Sequence, residues 1–199
     1  MNMCQPNPTP PPAARRMETI MTAMIVTVAA MIVVGVTASK WNHIKNFGVL
    51  HRGVLYRSAQ PSAHQVAVLS ARHGIKTIVN LRPTTEDADD GWYEAEREAA
   101  RRLGIRLVNL PVRAGCIPTD DDVAEFLALC RDSENHPILL HCEAGQARTG
   151  YLAAIWRMEF DGTDVDDAIR EMQEYRFRPE RYADHVDRLR DYARRFKER

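Results

Sequence analysis

Short β-branched or apolar runs alternate with helix-length amphipathic stretches from Val54 to Leu140. Consecutive parallel strands need a crossover of about a dozen residues or more, usually a helix. The alternation therefore predicts an α/β domain, with a mostly parallel sheet of four to five strands flanked by helices. The strands are expected at Val54–Arg57, Thr77–Leu81, Arg106–Leu110 and Ile138–His141. Ser62 can cap a helix that Gly74 ends, and Gly104 stops one running from Trp92 to Leu103. Thr119 or a neighbouring aspartate caps the next, with Val123, Phe126, Leu127 and Cys130 on its apolar face. Arg148–Phe160 is apolar nearly all round and reads as the central buried helix. Two more follow, one capped by Asp164 and one over Glu180–Phe196. In open parallel sheets ligands bind beyond the strand C-termini, and the segment after Leu140 lies at such an end.

The N-terminal part is of another kind. No charged residue occurs in the 21 positions between Glu18 and Lys40. As a helix this run would reach roughly 30 Å, the thickness of a bilayer core. Residues 17–39 are therefore expected to form one N-terminal transmembrane helix. A cleaved signal segment is the rival reading, with Arg15 and Arg16 as its positive region and Val36 and Ala38 at small-residue cleavage positions. The length of the apolar run favours the anchor. Residues 1–16 contain five prolines and are expected to be a disordered tail. The protein is thus expected to be single-pass, with residues 41–199 as one domain outside the cytoplasm.

Charge excludes some partners. The chain has 27 basic and 27 acidic residues, and a nucleic-acid-binding protein would normally show a basic surplus. Four cysteines make no disulfide scaffold, and no Cys-x-x-Cys pair or Cys/His cluster at zinc spacing occurs. Neither metal nor cofactor is expected.

Residues 138–150 read ILLHCEAGQARTG: a cysteine ends a strand, a loop follows, and Arg148 opens a helix. Successive loop amides can point inward as an anion-binding nest, reinforced by the positive end of the helix. Arg148 offers a planar fork that matches two phosphate oxygens. Gly145 permits the unusual backbone angles of such a loop. In that field the thiolate of Cys142 is favoured over the thiol.

His141-Cys142-Glu143-Ala144-Gly145-Gln146-Ala147-Arg148-Thr149 resembles the signature of the cysteine-dependent protein tyrosine and dual-specificity phosphatases. Tyr56-Arg57-Ser58-Ala59-Gln60-Pro61 and Val79-Asn80-Leu81-Arg82-Pro83 look like the opening strands of a compact bacterial branch, related to the plant and fungal atypical dual-specificity enzymes. The resemblance implies a phosphotyrosine protein phosphatase-like fold and hydrolysis of a phosphomonoester on a protein or small molecule. It implies that Cys142 attacks phosphorus and forms a phosphocysteine, while Arg148 and the amides of residues 143–148 hold the phosphoryl oxygens. It implies that Thr149 assists the departing sulfur and that His141 orients the loop from behind.

The family usually carries a general-acid aspartate on a movable loop well upstream of the cysteine. The corresponding window, Leu110–Gly115, contains no carboxylate. Asp120 is the acid candidate, with the alternative that Asp120, Asp121 and Asp122 only decorate a helix N-terminus. The acidic loop with Glu86, Asp87, Asp89 and Asp90 is a more distant candidate, read mainly as a solvated loop. Cys130 is expected in the core and Cys116 in an ordinary loop. Two other functions compete: a catalytically weak phosphate-binding pseudophosphatase, and a rhodanese-like sulfurtransferase, whose loop generally has another length.

Overall fold

The computed structural model describes residues 20–22, 24–31 and 43–197. It divides into two units, Met1–His43 and Ile44–Arg199. In the first, residues 20–22 and 24–31 are helical. Among the described residues no helix is long and apolar enough to cross a membrane. The transmembrane helix expected over 17–39 is therefore not shown, since the rest of that span lies outside the described residues. The tail at 1–16 lies outside them as well.

The second unit is a five-stranded sheet: β1 (Gly48–His51), β2 (Leu55–Ala59), β3 (Thr77–Asn80), β4 (Arg106–Asn109) and β5 (Ile138–Cys142). Their spatial order is β1-β2-β5-β3-β4, and β1 pairs antiparallel with β2 while every other pairing is parallel. Strand β5 is paired on both edges, with β2 and with β3. Its five residues are all buried, as expected of a central parallel strand covered on both faces.

Six helices flank the sheet: α1 (Ala63–His73), α2 (Trp92–Leu103), α3 (Asp120–Arg131), α4 (Ala147–Phe160), α5 (Val165–Glu174) and α6 (Ala183–Lys197). Helix α1 starts at a full capping box, with Ser62 accepting from the Gln65 amide and the Gln65 side chain accepting from the Ser62 amide. It ends at Gly74 in the left-handed conformation. Thr119 and Asp122 make the same reciprocal cap on α3.

Strand alternation sorts the core into two layers. Tyr56, Ile78 and Leu139 pack with Val66 and Leu69 of α1 and Ala100 of α2. Leu55, Val79, Ile138, Leu140 and Cys142 face the larger layer built on α3 to α6. Helix α4 runs through that layer with ten of its residues buried.

Candidate active site

Cys142 is the last residue of β5, and α4 begins at Ala147. Between them four consecutive carbonyls are held from outside the loop's concave side. The Gln60 amide donates to the Glu143 carbonyl at 3.0 Å, and the Asn46 side chain to that of Ala144 at 2.8 Å. Arg57 Nη2 donates to the Gly145 carbonyl at 2.7 Å, and the Gly150 amide to that of Gln146 at 2.8 Å. A peptide unit that turns its carbonyl out turns an N–H in, so the loop becomes a nest of donors. The Gly145 amide donates to Cys142 Sγ at 3.2 Å. Gln146 gives α4 no side-chain cap, which leaves the first-turn amides aimed at the same point.

Gly145 is required twice over. Its φ is +65°, and a Cβ there would sit 2.5 Å from the Ser58 carbonyl oxygen and the Ala59 amide nitrogen. The loop is pressed against the backbone of β2, where no side chain fits.

Arg148 is 5% exposed. Its Nη1 donates to Glu86 Oε2 at 2.9 Å and to the Val112 carbonyl at 3.0 Å, and its Nη2 donates to Glu86 Oε1 at 3.1 Å. A guanidinium has five N–H groups. Three are engaged, which leaves Nε–H and the second Nη2–H along one edge, the pair that grips two oxygens of a tetrahedral anion in parallel. Burial works against the charge of Arg148, but Glu86 first and then Cys142 raise its pKa above the ordinary value.

Arg57 is a second guanidinium beneath the loop, 1% exposed and lying 3.8 Å from the ring centre of Tyr175. Burial lowers its pKa to about 10, against the opposing pull of Tyr175, Glu171 and Cys142. It therefore keeps its charge at neutral pH.

His141 is fully buried, with Nε2 2.9 Å from Glu96 Oε1 and Nδ1 3.5 Å from the Cys142 carbonyl. Thr149 is fully buried too, and its Oγ1 has no hydrogen-bond partner among the described residues.

Asp120 is placed differently. Its carboxylate takes Arg188 Nη2 at 3.0 Å and Arg195 Nη1 at 3.1 Å, both from α6. Arg195 first, helped by Arg188, lowers its pKa below the usual carboxylate range. These contacts favour the ionised carboxylate, whereas a proton donor needs the protonated one, and they link α3 to α6. Asp120→Asn is accordingly expected to slow aryl and alkyl phosphate cleavage little, and equally. Steady-state rates on both substrates check this. A selective loss of about 100-fold on the alkyl ester, the usual worth of a positioned donor, would restore Asp120 as the acid.

Glu86 corrects the reading of its loop as solvated. It clamps Arg148 and lies 3.3 Å from Arg82 Nε. The window Leu110–Gly115 supplies a carbonyl, that of Val112, rather than an acid. Glu96, Asn46 and Gln60 were missing from the sequence reading. Glu96 left a trace there, as a charge four residues from both Trp92 and Ala100 on the inner stripe of α2. Cys130 is core, its thiol pKa pushed up to about 12 by burial, and Cys116 is exposed.

The sheet order and the cysteine–arginine cradle are similar to those of the cysteine-dependent phosphatases of the dual-specificity class. Residues 31–187 match the family described as DSP-PTPase phosphatase fused to NAD+ kinase, and the chain belongs to that family. The dual specificity protein phosphatase TpbA of Pseudomonas aeruginosa strain UCBPP-PA14 is 36% identical over 123 residues, 60% of this chain and 50% of TpbA. An inositol diphosphatase of Arabidopsis thaliana is 30% identical over 116 residues, 56% of this chain and 54% of its own length. The chain thus spans about half the length of these curated relatives. The crystal structure of P. aeruginosa TpbA superposes with a TM-score of 0.56 at 29% identity, covering 75% of this chain and 91% of TpbA as crystallised. A cysteine-to-serine form of TpbA has been solved in complex with pTyr, with a TM-score of 0.56 at 29% identity over 74% of this chain and 90% of that one.

Proposed function

We propose that this chain hydrolyses phosphomonoesters of the phosphotyrosine and dual-specificity type through a phosphocysteine intermediate. The observation that carries the reading is the cradle. Four carbonyls are tied outward, which turns their peptide N–H groups inward, the Gly145 amide donates to Cys142 Sγ, and Glu86 and the Val112 carbonyl leave Nε–H and one Nη2–H of Arg148 for a ligand.

In the first step the Cys142 thiolate forms an S–P bond as the bond from phosphorus to the leaving oxygen breaks. The amides of residues 143–148 and the Nε–H and Nη2–H of Arg148 hold the three equatorial oxygens, which carry the developing charge. The donors are fixed beforehand, since each carbonyl behind them already has its partner. In the second step water forms a new P–O bond and the S–P bond breaks. The Thr149 hydroxyl donates to the departing sulfur. A phenolate leaves without a proton more readily than an alkoxide, and the carboxyl group nearest Arg148, that of Glu86, is engaged by both guanidinium Nη groups, which favours aryl esters. TpbA bound to pTyr supports phosphotyrosine as the substrate class. The loop side chains Glu143, Gln146 and Ala147 bring no lysine to the mouth, which disfavours highly phosphorylated inositols. Intact Cys142 and Arg148 argue against a pseudophosphatase, and the donor ring argues against a sulfurtransferase. The deciding experiment is turnover of an aryl phosphate beside a panel of phosphopeptides, lipids and inositol phosphates. A chain that binds these and turns over none overturns the reading.

We further propose that residues 17–39 tether the domain to a membrane, with the domain on the non-cytoplasmic side. The charge-free run supports this, as does the exposure of Ile20, Met21, Met24, Ile25, Val26 and Met31, each more than half exposed. Deleting residues 1–40 is expected to move the protein from the membrane fraction to the soluble fraction with aryl phosphatase activity unchanged. Recovery of the intact, full-length chain in the soluble fraction would end the tether.

A further inference from the structure

Alternation along β5 sends Cys142 and His141 to opposite faces of the sheet. Cys142 joins the layer of α3 to α6, and His141 follows Leu139 toward α1 and α2. Helix α2 carries exposed ion pairs on its outer side, Glu94 with Arg97 and Glu98 with Arg101 and Arg102. Glu96, in contrast, is fully buried. A buried carboxylate is costly, and an apolar side chain of similar volume often serves stability as well or better. Its presence therefore calls for an account from what it meets.

It meets His141. Glu96 Oε1 is 2.9 Å from His141 Nε2, and both side chains are fully buried. The other ring nitrogen lies 3.5 Å from the carbonyl of Cys142. The imidazole is thus wedged between a carboxylate and the main chain of the nucleophile, with an acceptor at each nitrogen. Neither Glu96 oxygen nor His141 Nε2 has a hydrogen-bond partner among the described residues, so the 2.9 Å approach is a buried ion-pair contact one residue along the chain from Cys142.

We propose that Glu96 is a positioning residue of this site: it holds a positively charged His141 behind Cys142 and through it keeps the sulfur ionised. The proposal rests on Cys142 as the nucleophile. The other charged groups are Arg148 from α4 and Arg57 from β2, which act on the sulfur, with Glu86 and Glu143 acting on Arg148, and Glu171 and Arg157 acting on Arg57. Both arginines remain when Glu96 is altered, so the effect is partial. Without Glu96, burial favours the neutral imidazole, and one of three positive charges near the sulfur is lost.

The test is Glu96→Gln in the full-length chain, which keeps shape and removes charge. Alkylation of Cys142 by iodoacetamide, followed by mass spectrometry across pH, reads the state of the sulfur without turnover. The variant is expected to unfold cooperatively, with its alkylation curve displaced to higher pH and alkylation about tenfold slower near neutrality, the effect of one unit of displacement. On an aryl phosphate kcat should fall while KM changes little. His141→Gln should give the same displacement, and the double variant no more than either single one, as for two groups acting as a unit. Superimposable curves for Glu96→Gln and the unaltered chain would overturn the proposal, as would displacements that add in the double variant. If Glu96→Gln does not fold, Glu96→Leu combined with His141→Leu removes the buried pair altogether. A displaced curve is expected there, and an unaltered one overturns the proposal. Failure of the phosphatase reading looks different: no turnover by the unaltered chain, whatever the alkylation curves show.

Discussion

Cys142→Ser is expected to lower aryl phosphate turnover at least ~10³-fold while vanadate and phosphate still bind, since a serine hydroxyl is not ionised at neutral pH and a lost nucleophile is felt on that scale. Binding survives because the donors come from elsewhere. The outward ties to the carbonyls of Glu143 to Gln146 run to Gln60, Asn46, Arg57 and Gly150, and none involves the sulfur. The replacement loses only the contact from the Gly145 amide to sulfur, and a hydroxyl can accept there too. Steady-state kinetics and vanadate titration of the variant check both halves. Residual turnover above about 5% of the parent rate would remove Cys142 from the role, because loss of the nucleophile is felt on a far larger scale.

Arg148→Lys is expected to lower kcat/KM by ~10²-fold or more, the scale of losing a main transition-state donor. The reason is a count of protons. An ammonium has three N–H donors from a single centre. Glu86 and the carbonyl of Val112 already engage three of the five N–H groups of Arg148. A lysine that satisfied both neighbours would keep at most one donor for phosphate, and that one could not reproduce a parallel pair. The loss should fall mainly on kcat, since charge on the equatorial oxygens grows toward the transition state. Near-parental kcat in this variant would contradict the role.

Much of this was legible in the sequence because local chemistry decided it. Helix α1 could be bounded from Ser62 and Gly74, and α3 from Thr119, since caps are short-range devices that residue types announce. Cys142, Gly145 and Arg148 stood in one strand–loop–helix unit whose spacing carries its own geometry. Strand β1 was missed because a four-residue edge strand, GVLH, has too little pattern to stand out. The supports of the cradle were missed for another reason. Asn46, Arg57 and Gln60 reach the loop from more than 80 residues away in sequence. Their role follows from the order of strands in the sheet, which residue types alone do not announce. Asp120 was chosen on proximity in sequence, which does not announce the two arginines that α6 brings to it from near the other end of the chain. Glu86 was set aside because its acidic neighbours look like solvated surface, yet it alone of that group reaches Arg148.

The pairing of β5 on both edges bears on how such a chain can change over time. Its register is fixed from Leu55 to Ala59 on one side and from Thr77 to Asn80 on the other. A shift of one residue would exchange the faces of His141 and Cys142 and point the sulfur away from its donors. Single-residue replacements at the outer positions of α2 leave this register untouched, whereas loss or gain of one residue between Ile138 and Cys142 inverts the site at a stroke, and one between Cys142 and Arg148 changes the length of the cradle. The geometry of this stretch accommodates exchange of side chains only at constant length.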